Sequence, residues 1–175
     1  MSGKLVGLFL LICGALAGGA LYYLQIYGFY DEVTEAQVQL IRQDNNAPED
    51  IEFTAFQAVD ADSSPIRFRA CFETSASLDD LSAAYVDAGP VIPRNAPGWF
   101  ECFDAEAIAE ALSAGTARAY LGQKNIHYGV DRIVAVTADG RGYIWHELND
   151  CGDKAYDGTV VGEECPPLPE TNGEG

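Results

Sequence analysis

One long apolar run, followed by short segments that alternate between apolar and polar, sets the outline of this chain. Leu5 to Tyr27 is a stretch of 23 residues whose only strongly polar side chain is Gln25. Crossing about 30 Å of hydrocarbon takes roughly 20 residues at about 1.5 Å each, and this run supplies about 34 Å. The run therefore predicts a transmembrane helix that meets the lipid bilayer over residues 5–27. Lys4 precedes it, while Asp31 and Glu32 follow it, so the lysine and arginine bias puts the amino terminus in the cytoplasm and the remaining chain outside. Tyr22, Tyr23, Tyr27, Phe29 and Tyr30 gather at the outer end, where amphipathic rings favour the headgroup layer. Ala15-Leu16-Ala17 has the small residues of a signal-peptide cleavage site, but the apolar run continues for ten residues beyond it, which favours a retained anchor. Gly14 and Gly18, like Ala15 and Gly19, share a helix face and permit close helix approach; small residues are common in such helices without any dimer.

After the run the periodicity changes. Thr34 and Gln37 match a capping box for a helix over 35–42, while the alternation of Gln37, Val38, Gln39 and Leu40 fits a strand, and the pattern leaves both open. Residues 44–50 read as a polar loop. Residues 51–59 and 65–73 read as paired strands, the second with Ile66, Phe68, Ala70 and Phe72 on a core face and Arg67, Arg69, Cys71 and Glu73 on a polar face. Arg67 and Arg69 are expected to pair with the chain's own carboxylates. Ser77, with Asp80 three residues on, caps a helix to about Val86. Residues 87–98 carry three prolines and two glycines, a composition too stiff for a plain turn. Residues 99–103 read as a short strand, Asp104 caps a helix that ends at Gly115, and 117–121 form another strand before a polar loop over 122–129. The hairpin over 130–148 is the clearest signal, because Asp139-Gly140 suits a tight turn. A two-residue turn sets Arg132 opposite Glu147, whereas a three-residue turn over 138–140 sets Arg132 opposite His146 and Val134 opposite Ile144. Beyond Asn149 periodicity is lost, and a proline-rich acidic tail from Pro166 is expected to be disordered.

These elements predict an α+β fold: one N-terminal transmembrane helix, then a small domain with an antiparallel sheet of five or six strands covered by two helices. The expected divisions are an anchor over 1–30, a juxtamembrane segment over 31–50, the α+β domain over 51–150, and a disulfide-stapled loop and tail over 151–175.

Charge sharpens this outline. All 27 acidic residues lie at or beyond Asp31, and only Lys4 of the 10 Lys and Arg precedes it, so the exported part carries a formal charge of −18. Such a surface repels phosphate backbones, so no nucleic-acid partner is expected. Of five cysteines, Cys13 lies in the apolar run and Cys71, Cys102, Cys151 and Cys165 lie outside. Four cysteines in an oxidising compartment predict two disulfides with three possible connectivities; sequence proximity favours Cys71 with Cys102 and Cys151 with Cys165. Their spacing is not that of a zinc site, and no CxxC is present.

Candidate chemistry is sparse. The 87–98 loop, with Pro90, Pro93, Arg94 and Pro97 leading to Trp99, is the candidate binding surface, with Arg94 at its apex; the alternative is an ordered connector packed under Trp99. The two histidines, His127 and His146, are candidate proton- or metal-sensing groups with Asp131, Glu147 or Asp150 nearby. There is no GxSxG elbow, no phosphate loop and no dinucleotide fingerprint, so neither catalysis nor a cofactor is expected.

The layout of the apolar run, the FRACFET strand (68–74), GWFECF (98–103), AYLGQKNIHYGVDRIVAVTADGRGYIWHELNDCG (119–152) and a proline-rich end resembles a family of short, single-pass bacterial membrane proteins of unknown function. Some members of that family carry a histidine-kinase label. This chain lacks glycine-rich ATP-lid boxes, and about 145 residues beyond the apolar run leave no room for a dimerisation helix pair with a catalytic domain. The resemblance brings no catalytic residues. The expected function is a periplasmic accessory or protein-interaction domain on the inner membrane, serving a membrane or envelope protein partner. The alternative is a ligand, metal or pH sensor built on His127 and His146.

Overall fold

The computed structural model describes residues 2–35 and 37–167. The chain opens with helix α1 (Gly3–Tyr23), continued by a π-helical turn over Leu24–Gly28. The combined span of 26 residues has a mean hydropathy of 2.2 in its most apolar window, and none of that window is buried against the rest of the chain. A helix that is apolar all round and left uncovered is not a core element of the domain. It is long and apolar enough to cross a membrane, a test that signal sequences also pass.

The remainder is built on a six-stranded sheet in which every neighbouring pair is antiparallel. Its strands are β1 (Asp31–Glu32), β4 (Thr54–Asp60), β5 (Arg69–Glu73), β6 (Ala117–His127), β7 (Val130–Thr137) and β8 (Arg141–Leu148), in the order β1-β4-β5-β8-β7-β6. A separate hairpin pairs β2 (Gln39–Ile41) with β3 (Pro48–Asp50). Residues 85–88 stitch the hairpin to the β6 edge: Leu121 N donates to Val86 O at 2.9 Å, and Val86 N donates to Ile41 O at 2.8 Å. The β6 edge, otherwise open to pairing with another chain, is thereby covered along part of its length.

Both faces of the sheet are buried. On one face Phe68, Ala70, Phe72, Tyr120, Val134, Val136 and Ile144 pack with Val38 and Leu40 of the hairpin region and with Leu81 of helix α2 (Leu78–Ala84). On the other face Cys71, Ala135, Tyr143 and Trp145 pack with Ile108 of helix α3 (Ala105–Ala114) and with Phe100 and Phe103. The expected helix ends hold. Ser77 accepts from Asp80 N, Asp104 accepts from Glu106 N and Ala107 N, and α3 ends at Gly115 with φ of 73°, where a side chain would be strained.

Several expectations need correction. Of the face assigned as polar, Arg69 and Cys71 lie in a second core, because α3 and residues 88–103 cover it there; Arg69 is only 5% exposed, while Arg67 is half-buried and Glu73 exposed. Arg69 pairs with no carboxylate among the described residues. Its guanidinium donates to the carbonyls of Arg94 (2.9 Å), Ile66 (2.8 Å) and Phe68 (2.6 Å). Residues 99–103 form turns rather than a strand, closed by Phe100 N donating to Pro97 O at 2.9 Å. The 35–42 ambiguity resolves to strand β2. Residues 31–50, expected as a juxtamembrane segment, contribute β1, β2 and β3 and bury Val38 and Leu40. The polar loop expected over 122–129 is largely a continuation of β6, with two register shifts.

The β7–β8 hairpin takes the three-residue turn: Arg132 pairs with His146 and Val134 with Ile144, and Gly140 supplies φ of 85°. The cysteines pair as proximity favoured, Cys71 with Cys102 and Cys151 with Cys165. The latter loop is held further by Ala155 N donating to Thr159 O and by an ion pair between Lys124 and Glu163. The expected disordered tail lies, from Leu168 on, outside the described residues.

The Cys71–Cys102 bridge fastens the 88–103 cover to a central strand, and chain entropy alone assigns its 31-residue separation about 4 kcal/mol. The double variant Cys71→Ala/Cys102→Ala is expected to lower unfolding free energy by about that amount in denaturant melts. Removing Cys151–Cys165, whose loop has no buried residue between its cysteines, should cost clearly less.

Candidate functional site

The strand register lines up three side chains across the centre of the sheet. Because Ala70 pairs with Ile144 and Val134 with Ile144, the residues two positions away, Phe68, His146 and Arg132, sit side by side on the same face. Phe68 stacks on the His146 ring at 4.9 Å, and the Arg132 guanidinium lies 4.7 Å from the Phe68 centroid. His146 is 1% exposed. Its Nδ1 lies 2.8 Å from the Pro65 carbonyl, and Arg132 Nε donates to its Nε2 at 3.1 Å. An arginine only donates, so Nε2 carries the lone pair and the proton sits on Nδ1, from which it donates to Pro65. The ring is thus fixed in one tautomer and one charge state. Burial pushes its pKa down to about 4, and the Arg132 charge pushes the same way against the Pro65 carbonyl. His146 is therefore held in the neutral form through the physiological range.

Two irregularities in the backbone serve this spot. Gly122 lies where a Cβ would meet Val134 Cγ2 at 2.9 Å and Arg132 Cγ at 3.2 Å, so its missing side chain makes room for the arginine stem. In β4 the register slips by one residue between Thr54 and Gln57, with Ala55 at φ of 51°. Such a bulge re-aims the side chains beside it. Phe53 and Phe56, three apart, consequently both pack against the same core, 5.6 Å apart.

Between these parts lies a cleft of about 560 Å³. Arg132 and Phe68 line it together with Val33, Phe53 and Phe56, and Glu35 and Asp50 also border it. Arg132 forms no ion pair among the described residues, and its two Nη groups make no hydrogen bond among them; its Nε bond to His146 is the sole polar contact there. Burial lowers its pKa, and the charge of Asp60 opposes that shift. The sequence pointed to His146 but passed over Arg132. The signal was available: in the strict alternation Arg132, Val134, Val136 the arginine falls on the core face.

The other candidates lie elsewhere. His127 is exposed, with its ring 5.9 Å from that of His146. No group of three or more His, Cys, Asp or Glu able to hold a metal occurs among the described residues. The 87–98 loop covers the opposite face of the sheet. Pro93 and Pro97 are buried, Pro90 and Arg94 are exposed, and the Arg94 backbone carbonyl accepts from Arg69. Glu147 pins the loop by accepting from Ile92 N at 3.3 Å, with Arg94 Nη2 3.9 Å away. Trp99, at the loop's end, reaches the N-terminal helix: its Nε1 donates to Ile26 O at 2.7 Å, Tyr27 stacks on it at 6.1 Å and Tyr30 meets it edge-on at 6.0 Å. The two expected surfaces, loop and histidines, thus occupy opposite faces and do not form one site.

Comparison with known families matches residues 38–166 to one of them. The chain belongs to DUF6446, a family of unknown function. The match runs from the start of the hairpin region to just past Cys165 and takes in every strand from β2 onward with both α2 and α3. No curated protein and no solved structure matches the chain.

The neutral His146 makes a pH prediction for this DUF6446 domain. In the unfolded chain a histidine titrates near 6.5; in the folded domain it titrates near 4. Between those values the unfolded chain holds a proton that the folded one does not, so the stability present above pH 6.5 is lost as pH falls toward 4. Denaturant melts are expected to lose about 2 kcal/mol between pH 7 and pH 5 from this group. The His146→Gln variant, whatever its absolute stability, should show a flatter profile over that window. An unchanged profile would locate the dependence elsewhere.

Proposed function

We propose that this chain is a membrane-anchored accessory domain of the bacterial cell envelope. In this reading α1 crosses the inner membrane with the amino terminus in the cytoplasm, and the domain works in the periplasm by binding an envelope protein rather than by catalysis. The observation that carries the reading is the way the exit of the apolar helix is built into the domain. The helix is uncovered along its length, yet its last turn is gripped by Trp99 through a hydrogen bond to Ile26 and by ring contacts with Tyr27 and Tyr30. Arg67 lies over the Tyr30 ring at 5.6 Å. A cleavable signal sequence has no use for such a mount, whereas a domain that presents one surface at a set height and angle above the bilayer does.

The cysteine pairs favour an oxidising compartment, and the acidic surface suits a solvated domain beyond the headgroups. In protein from cells whose thiols are blocked at lysis, Cys71, Cys102, Cys151 and Cys165 should all be found as disulfides. Free thiols at Cys71 and Cys102 would place the domain in a reducing compartment and defeat the reading. Crosslinking in membranes before gentle detergent extraction should yield a stoichiometric complex with one envelope protein. Trp99→Phe, which removes the indole donor to Ile26 but keeps an aromatic ring against Phe100, should reduce its yield with little change in the domain's melting. A monomer with no crosslinked partner would reject the accessory role.

A further inference from the structure

We propose that the cleft beside Arg132 is a binding site for an amphipathic monocarboxylate, with the carboxylate on the Arg132 guanidinium and the apolar body along Phe53, Phe56 and Phe68. The site is independent of how the N-terminal helix is oriented. Its floor is a half-buried arginine whose Nη groups have no acceptor among the described residues, and a carboxylate is the group that matches that planar fork with two parallel hydrogen bonds. The arginine is aimed. His146 accepts from its Nε, Phe68 lies under it, and Gly122 clears its stem. An arginine left to find its own rotamer would not need three such supports.

The walls select the rest of the ligand. A one-residue bulge with Ala55 held at φ of 51° brings Phe53 and Phe56 to the same side, a costly conformation for a non-glycine residue. The volume, about 560 Å³, lies within the usual range for small-molecule sites. Glu35 and Asp50 border the same cleft and repel a second negative charge, which disfavours phosphates and dicarboxylates. A single carboxylate on a hydrocarbon or aromatic body satisfies all of these at once. Two sources share this chemistry: a fatty acid from the bilayer, which Val33 of the cleft follows closely in the chain, or a water-soluble acid.

The test uses the full chain in lipid nanodiscs. Binding of 4-phenylbutyrate is compared by ligand-observed NMR with that of 4-phenylbutanol, the neutral counterpart, and a diazirine fatty acid in the lipid probes the membrane source. The acid is expected to bind at least about tenfold more tightly than the alcohol, the margin a charge-assisted pair supplies, and where the ligand comes from the bilayer the photoprobe is expected also to label peptides carrying Phe53 or Phe56. Labelling from the bilayer identifies a lipid-borne ligand, and binding of the soluble acid without labelling identifies a free one. Arg132→Gln should abolish the preference for the acid. Because that change also removes the His146 partner, Phe56→Glu provides a second variant: it places a competing carboxylate at a half-buried wall and should block acid binding while the fold is retained. Equal binding of acid and alcohol by the unaltered chain, or no binding of the acid, overturns the proposal.

Discussion

The constraint from which most of this structure follows is that a six-stranded sheet is buried on both of its faces. An antiparallel sheet can leave one face to water, and this one does not. With roughly 145 residues available beyond the apolar run, two layers have to be found to cover it, and neither is a long helix. One is made from the β2–β3 hairpin and α2; the other from α3 and the proline-rich connector. Short covers bury little area each, so they are fastened by specific bonds. Cys102 is linked to Cys71, Glu147 holds Ile92, and Arg69 holds the Arg94 carbonyl.

That constraint also explains why two arginines in an acidic protein form no ion pair among the described residues. Arg69 and Arg132 stand on opposite faces of the sheet, and burial lowers the pKa of both, that of Arg69 to about 10. Arg69 is satisfied by three backbone carbonyls, so its charge serves to close a cover over the second core. Arg132 has only an imidazole nitrogen and an aromatic face. The two have similar surroundings and unlike degrees of satisfaction, and this contrast separates a structural cation from one with donors to spare.

Local signals in the sequence proved legible wherever a single residue type dictates the backbone. The caps at Ser77 and Asp104, the left-handed Gly115, the turn at Gly140 and the pairing of near cysteines follow from chemistry within a few residues. What failed depended on contacts distant in sequence. The second core was unreadable because Arg69 looks polar unless carbonyls at 66, 68 and 94 are known to converge on it. Residues 122–129 looked like a loop because Gly122, Lys124, Asn125 and Gly129 dominate locally, although β7 recruits them into its edge. The cleft was hidden for a related reason: Phe53 and Phe56 read as facing opposite ways at period two, and only the bulge at Ala55 brings them to the same side.

The π-helical turn and the cleft are joined by very little chain. The turn ends at Gly28, Trp99 and Arg67 clasp Tyr27 and Tyr30, β1 occupies Asp31–Glu32, and Val33 already lines the cleft. A widened helical turn shifts the backbone hydrogen-bond pattern, and here the Ile26 carbonyl accepts from the Trp99 indole. The segment that leaves the helix is therefore fixed at Trp99 and again at β1, with Val33 N donating to Ala58 O at 3.0 Å. A domain hung on a flexible linker would be indifferent to its tether. In this one the stretch from Ile26 to Val33 is held by Trp99, by Arg67 and by pairing with β4, so the helix exit and the wall of the cleft lie on one fastened length of chain.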